Sequence, residues 1–168
     1  MLPPHDESLR ERWARGSVVF DSLGCASCHR KELVLTLGMN WEEKPDLSDK
    51  VVAVDLVKDG DPPKTGRNVR LFSDLKRHDM GAELADRHPS SDGVPVREWL
   101  TRPLWGLAES PPYMHDGRAA TIPAAILAHG GEGEAAKLAF ERASDSDRKD
   151  LHVYLLSLSR EPHLRVIR

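Results

Sequence analysis

Apolar residues recur at helical spacing near both ends of the chain, and a polar, turn-rich stretch lies between. Leu9, Trp13, Val18 or Val19, Phe20 and Leu23 approximate one stripe, which predicts an amphipathic helix over residues 8–23. Asp6 or Ser8 can cap its start, and Gly24 stops it. Towards the other end, Thr121-Ile122-Pro123 reads as an N-cap followed by a helix start that tolerates proline in its first turn. That helix is expected to reach about Ala128 and to end near Gly130-Gly131. Residues 132–143 can form a second short helix. A third is expected over residues 147–158, capped by Ser144 or Asp145, with Leu151, Tyr154, Leu155 and Leu158 on its apolar face.

The middle is less regular. Residues 32–37 and 50–57 are rich in Val and Leu and are expected to pair as a small β-ribbon. Asp59-Gly60-Asp61-Pro62-Pro63 is a turn cluster, and residues 86–95 read as exposed loop. No internal repeat or low-complexity segment is evident.

A chain of 168 residues points to one domain, on a prior of roughly 100–200 residues per domain. We divide it into residues 8–30, an N-terminal helix with the motif that follows it; residues 31–100, a loop-rich insertion; and residues 101–160, a helical part. Hydrophobic content is 39% and charged content 30%. The formal net charge of −3 gives no reason to expect nucleic-acid binding. No apolar run approaches the roughly 18 residues needed to span a bilayer.

Only two cysteines are present, and both lie in Cys25-Ala26-Ser27-Cys28-His29. A C-x-x-C-H segment is the attachment signature of a c-type haem. Two thiols at this spacing can form thioethers with both vinyl groups of one haem, and the adjacent histidine then falls under the iron as proximal ligand. A disulfide, a thioredoxin-like pair or half of a zinc site compete weakly. The redox motif needs a strand before it and a long helix after it, and zinc needs four ligands. One covalently attached c-type haem is therefore expected, held by Cys25, Cys28 and His29. The fold class follows: mainly α, a cytochrome c-like helical arrangement around one haem, with long loops and a small β-ribbon. In bacteria thioether attachment takes place outside the cytoplasm, so a periplasmic or otherwise exported protein is expected. His5, Asp6, Glu7 and Glu11 exclude a signal peptide at residues 1–15, and an export signal is expected to have been removed or replaced.

The second axial position decides the chemistry. Two protein ligands make an electron-transfer site, and an open position admits peroxide or a gas. Met39, His78, Met80, His88, Met114, His115, His129, His152 and His163 are the candidates. His5 and His163 lie near the termini, His88 lies in a polar loop, and His152 neighbours the apolar face of the last helix. His78/Met80, Met114/His115 and His129 remain. Each is near glycine, and the residues alone do not separate them.

Four segments carry a family resemblance. They are Leu75-Lys76-Arg77-His78-Asp79-Met80-Gly81, Thr101-Arg102-Pro103-Leu104-Trp105-Gly106-Leu107, Pro112-Tyr113-Met114-His115-Asp116-Gly117-Arg118-Ala119 and Ala125-Ile126-Leu127-Ala128-His129-Gly130-Gly131-Glu132. In this order they resemble the haem-binding C-terminal domain of the bacterial di-haem cytochrome c peroxidase superfamily, and within it the di-haem thiol-oxidoreductase-like branch. The likeness covers about residues 9–159 and is poor over 31–70. Each motif alone is weak; their combination is specific.

In that family the helix after Tyr-x-His-Asp-Gly carries the distal ligand, usually a methionine, and the matching position here is His129. The resemblance thus implies His29/His129 ligation, with Met114 and Met80 as alternatives. Bis-histidine ligation generally lowers the reduction potential relative to His/Met. The resemblance makes His78, Asp79, His115, Asp116 and Arg118 neighbours of the site. Arg118 can pair with a haem propionate or, about as readily, with Asp116 in its own turn. Trp105, and with it Trp99, is expected beside the porphyrin.

One departure matters. The family has two C-x-x-C-H sites and this chain has one, so peroxidase activity does not carry over. The expected function is electron transfer by a monohaem c-type cytochrome with a six-coordinate His/His haem. A peroxidase-like enzyme, or the haem domain of a larger di-haem oxidoreductase, is the alternative, and a gas or redox sensor ranks third. The expected partner is a redox protein, a second haem domain or another copy of this chain.

Overall fold

The computed structural model describes residues 6–35, 67–89 and 91–158. Helix α1, Glu7–Ser22, starts where its cap dictates. The Asp6 carboxylate accepts from the Leu9 N–H at 3.2 Å and from the Ser8 hydroxyl at 2.6 Å, so Asp6 is the cap and Ser8 its support. Gly24 ends the helix with φ of 83°, a left-handed conformation that favours glycine. A single 3₁₀ turn, Cys25–Ser27, follows at once.

Helix α1 packs on the last helix, numbered α4 in chain order, Asp145–Leu156. Ser144 caps α4 by accepting from the Asp147 N–H at 3.1 Å, which starts it two residues before the expected position. The two helices meet at Gly16. A Cβ there would stand 2.1 Å from the Asp150 carbonyl oxygen, so this approach needs a residue without a side chain. Val19 and Phe20 from α1 face Leu151, Tyr154 and Leu155 from α4, with Leu158 just beyond its end. Val18 is 67% exposed, which places the apolar stripe through Val19. Phe72 joins this core from the middle of the chain, its ring centroid 6.1 Å from that of Phe20 and 6.3 Å from that of Tyr154. Such aromatic pairs contribute about 0.5–1.5 kcal/mol beyond their burial. Asp150 is buried and is held by the Arg15 Nε at 2.7 Å.

Two antiparallel ribbons lie in the middle. Strands β1, Leu33–Leu35, and β2, Arg67–Val69, pair with Leu33 opposite Val69. The partner expected for this segment, residues 50–57, lies outside the described residues. Strands β3, Arg77–Asp79, and β4, Glu98–Leu100, form a ribbon that sequence patterning did not reveal, with His78 opposite Trp99. Residues 86–89 and 91–95, between these strands, are mostly exposed, as expected.

Helix α2, Ile122–Leu127, is capped by Thr121, whose hydroxyl accepts from the Ala124 N–H at 3.2 Å. Gly131–Gly133 form a 3₁₀ turn, so the helix expected from residue 132 begins later, as α3, Glu134–Arg142. Described residues are thus mainly helical, with two small ribbons, in agreement with the expected fold class.

Candidate functional site

The end of α1 delivers the Cys25-Ala26-Ser27-Cys28-His29 segment as a tight turn. The Ser27 N–H donates to the Gly24 carbonyl and the His29 N–H to the Cys25 carbonyl, at 3.1 and 3.0 Å. Lys31 ties the exit of the turn back to α1, donating to the Ser17 carbonyl at 3.1 Å and meeting the Asp21 carboxylate at 2.6 Å. Cys25 and Cys28 are free thiols. Burial pushes the Cys25 thiol up to about 11. Dithiol exchange needs an attacking thiolate, so Cys25 is ill suited to it. Two free thiols beside a histidine, on one turn, fit haem attachment.

His29 lies at the junction of this turn with the middle of the chain. Its Nδ1 is 3.1 Å from the Phe72 carbonyl oxygen. Burial pushes the imidazole down to about 4, against the pull of backbone carbonyls, and the neighbouring His129 pushes it further in the same direction. The ring is therefore neutral at pH 7, the form that ligates metals. With the proton on Nδ1, the Nε2 carries the lone pair.

His129 follows Ala128, the C-cap of α2. Its Nδ1 is 2.8 Å from the Ala125 carbonyl oxygen, one helical turn back, which again leaves the lone pair on Nε2. Two half-buried histidines, 100 residues apart in the chain, thus each present Nδ1 to a backbone carbonyl. Two imidazole donors suit a haem, and His29 and His129 are the residues that would hold its iron.

Met80 belongs to the same locality. A Cβ on Gly133 would stand 3.2 Å from the His129 Cβ and Cδ2 and 3.2 Å from the Met80 Cε. Met114 instead sits in the turn closed by the Tyr113–Ala119 bridge, with φ of 73°. His78 is bracketed by two carboxylates. Its Nδ1 is 2.8 Å from Glu132 Oε2 and its Nε2 is 3.0 Å from Asp74 Oδ2. With both ring nitrogens engaged, His78 has no lone pair to offer a metal. The Cys28 Sγ lies 3.9 Å from its Nδ1, which places His78 beside the attachment turn.

The other predicted neighbours have protein partners of their own. His115 stacks on Trp99 with ring centroids 3.6 Å apart. With Asp86, His88 and Arg118 it also lines an open cavity of about 520 Å³. Arg118 is committed within its own loop region, to Asp116 Oδ2 at 2.6 Å and to the Glu83 carbonyl at 2.5 Å. The turn pairing anticipated for Arg118 is therefore present. Trp105 is 44% exposed and donates its indole N–H to the Arg70 carbonyl. Trp99 is half-buried and donates to the Leu84 carbonyl at 2.8 Å. His152 lies on α4, half-buried, and His88 is exposed. Met39, His5 and His163 lie outside the described residues.

Sequence reasoning missed Asp74 and underread Glu132. A lone carboxylate three residues after a candidate ligand carries no signal until β3 is known to lie beside it. The cue was the glycine run around it, read only as a helix stop.

Comparison with known proteins gives the family. A family model described as "di-haem oxidoreductase, putative peroxidase" matches residues 3–158, which includes the stretch where the motif resemblance was poor. No curated protein and no solved structure matches the chain. Since the match covers nearly the whole chain, the protein belongs to the di-haem oxidoreductase family, whose cofactor is haem.

Proposed function

We propose that the chain is a c-type cytochrome domain that moves single electrons through one haem attached at Cys25 and Cys28 and ligated by His29 and His129. The observation that carries this reading is the matched pair of histidines. Each has Nδ1 directed to a backbone carbonyl, and the two are near enough for His129 to depress the ionisation of His29.

A bound haem supplies a one-electron ferric/ferrous couple. The chain's own groups do the rest. Cys25 and Cys28 fix the porphyrin's place beside the end of α1. The Phe72 and Ala125 carbonyls orient the two imidazoles and raise their basicity as donors. Phe20, Phe72 and Tyr154 keep one side of the attachment turn dry. Two protein ligands leave no position for peroxide, and so electron transfer is favoured over peroxide chemistry.

The family is di-haem and this chain has a single C-x-x-C-H. That mismatch supports a second reading, in which the chain is the electron-handling haem domain of a larger di-haem assembly. Its partner is then a second haem domain, a redox protein or another copy of the chain. Export to the periplasm belongs to the same proposal, through the thioether chemistry.

The test is the ferric and ferrous electronic spectrum of the haem-loaded protein and of His129→Ala. Low-spin wild type and a high-spin or water-ligated variant are expected. Turnover of added peroxide by a resting high-spin iron would overturn the electron-carrier reading.

A further inference from the structure

Glu132 lies three residues beyond His129, on the 3₁₀ turn Gly131–Gly133 that follows the histidine. Its two oxygens act on different partners. Oε1 accepts from the Asp79 backbone N–H at 2.9 Å, and Oε2 meets His78 Nδ1 at 2.8 Å. His78 passes the contact on to Asp74 Oδ2 at 3.0 Å. The Asp74 side chain is only 5% exposed. Its other oxygen accepts from the Lys76 N–H at 3.0 Å. Asp74 stands two residues from Phe72, whose carbonyl holds His29. Ser73, between them, is fully buried and donates its hydroxyl to the Thr101 carbonyl at 2.7 Å. Its backbone N–H donates to the Arg30 carbonyl, next to His29, at 3.1 Å. A continuous polar strap therefore runs from the His129 turn to the His29 turn.

Backbone packing presses the same parts together. A Cβ on Gly131 would stand 2.2 Å from the Asp79 carbonyl oxygen, and one on Gly130 would stand 2.9 Å from the Met80 carbonyl oxygen. The His129 turn lies directly against the end of β3, and only glycine at these positions permits it.

We propose that Glu132 and His78 are positioning residues that hold the His129 turn in register with the haem-attachment turn. The proposal rests on the reading of His129 as an iron ligand. Glu132 acts through the backbone of Asp79 and the ring of His78. Its charge is satisfied by two donors at once, so the turn cannot slide along β3 without breaking both. Register matters at this place because an axial ligand displaced by about 1 Å no longer binds well.

The test is carbon monoxide binding to the ferrous haem-loaded protein, read beside the ferric spin state. Glu132→Ala is expected to speed carbon monoxide binding at least tenfold and to add a high-spin component. Glu132→Gln, which keeps an acceptor for the Asp79 N–H, is expected to fall between that variant and wild type. His78→Gln provides a second, independent cut of the strap and is expected to match Glu132→Ala in direction. Glu134→Ala removes a nearby carboxylate of the same charge and is expected to leave both readouts unchanged. If Glu132→Ala behaves as wild type, or no differently from Glu134→Ala, the proposal is overturned. His129→Ala separates the two ideas. If it opens the iron while Glu132→Ala does not, the strap alone is wrong. If it leaves the spectrum unaltered, the ligand reading itself fails.

Discussion

The Cδ2 of His129 and the Cε of Met80 both lie 3.2 Å from the point where a Cβ on Gly133 would stand. One glycine therefore makes room for the candidate ligand and for the thioether packed beside it. At this separation something must shift by a few tenths of an ångström to admit a methyl group. Gly133→Ala is expected to weaken ligation, raising the high-spin fraction in the ferric spectrum. The double variant Gly133→Ala/Met80→Ala clears the space again and is expected to recover the low-spin form. A Gly133→Ala spectrum that matches wild type would remove this steric argument.

Gly16 does the same for the fold. Because the atom a Cβ would meet is the backbone oxygen of Asp150, no rotamer change relieves the clash. Gly16→Ala is expected to force α1 and α4 apart and to cost about 1–3 kcal/mol, the usual range for overpacking a tight interior. Thermal or denaturant unfolding measures it, with Ala14→Gly as a control on the exposed face of the same helix. A cost below that of the control would mean that the two helices do not meet there.

The cap of α2 bears on the ligand directly. Thr121→Ala removes the acceptor for the Ala124 N–H and is expected to cost about 1 kcal/mol. The helix has only six residues and ends two residues before His129. Its fraying is expected to show as faster displacement of the sixth ligand by added imidazole. An unchanged displacement rate would mean that the glycine turn, rather than α2, seats His129.

The helices, their caps and the attachment motif were legible in the sequence, for physical reasons. Leu151, Tyr154, Leu155 and Leu158 are at helical spacing and all four are buried. Ser144 and Thr121 cap helices because their hydroxyls reach an N–H three residues on. Cys25, Cys28 and His29 were visible because their spacing has one dominant chemical use. The β3–β4 ribbon was not legible. Each strand has three residues, too few for an alternating pattern, and loop of mixed polarity separates them. Arrangements that depend on that ribbon were hidden too, among them the Asp74–His78–Glu132 strap and the Trp99–His115 stack. Gly16 went unread because a glycine inside a helical stripe reveals nothing about the neighbour it admits.

The strap has a defined pH window. The hydrogen bond to Glu132 raises the His78 pKa above its ordinary 6.5, with Asp74 assisting and burial opposing. His78 in return draws Glu132 below its ordinary 4.5, helped by the Asp79 N–H. Burial pushes Asp74 upward, but hydrogen bonds from the Lys76 N–H, His78 and Thr101 outweigh it and hold the carboxyl below 3.8. A raised histidine pKa stabilises the fold fully below 6.5, and that stabilisation is lost as pH rises through the folded value. Lowered carboxylate pKa values act oppositely, with stabilisation lost as pH falls through them. The strap is therefore complete between 4.5 and 6.5. The melting-temperature gap between wild type and His78→Gln is expected to be widest there and to narrow at alkaline pH. A gap independent of pH would show that the His78 charge contributes nothing to the strap.

The electronic spectrum of the ferric haem-loaded protein at neutral pH, recorded for wild type, His129→Ala and His115→Ala together, tests the central claim most directly. His29/His129 ligation predicts low-spin wild type, high-spin or water-ligated His129→Ala, and low-spin His115→Ala. A high-spin wild-type protein, or a His129→Ala spectrum identical to wild type, would contradict it.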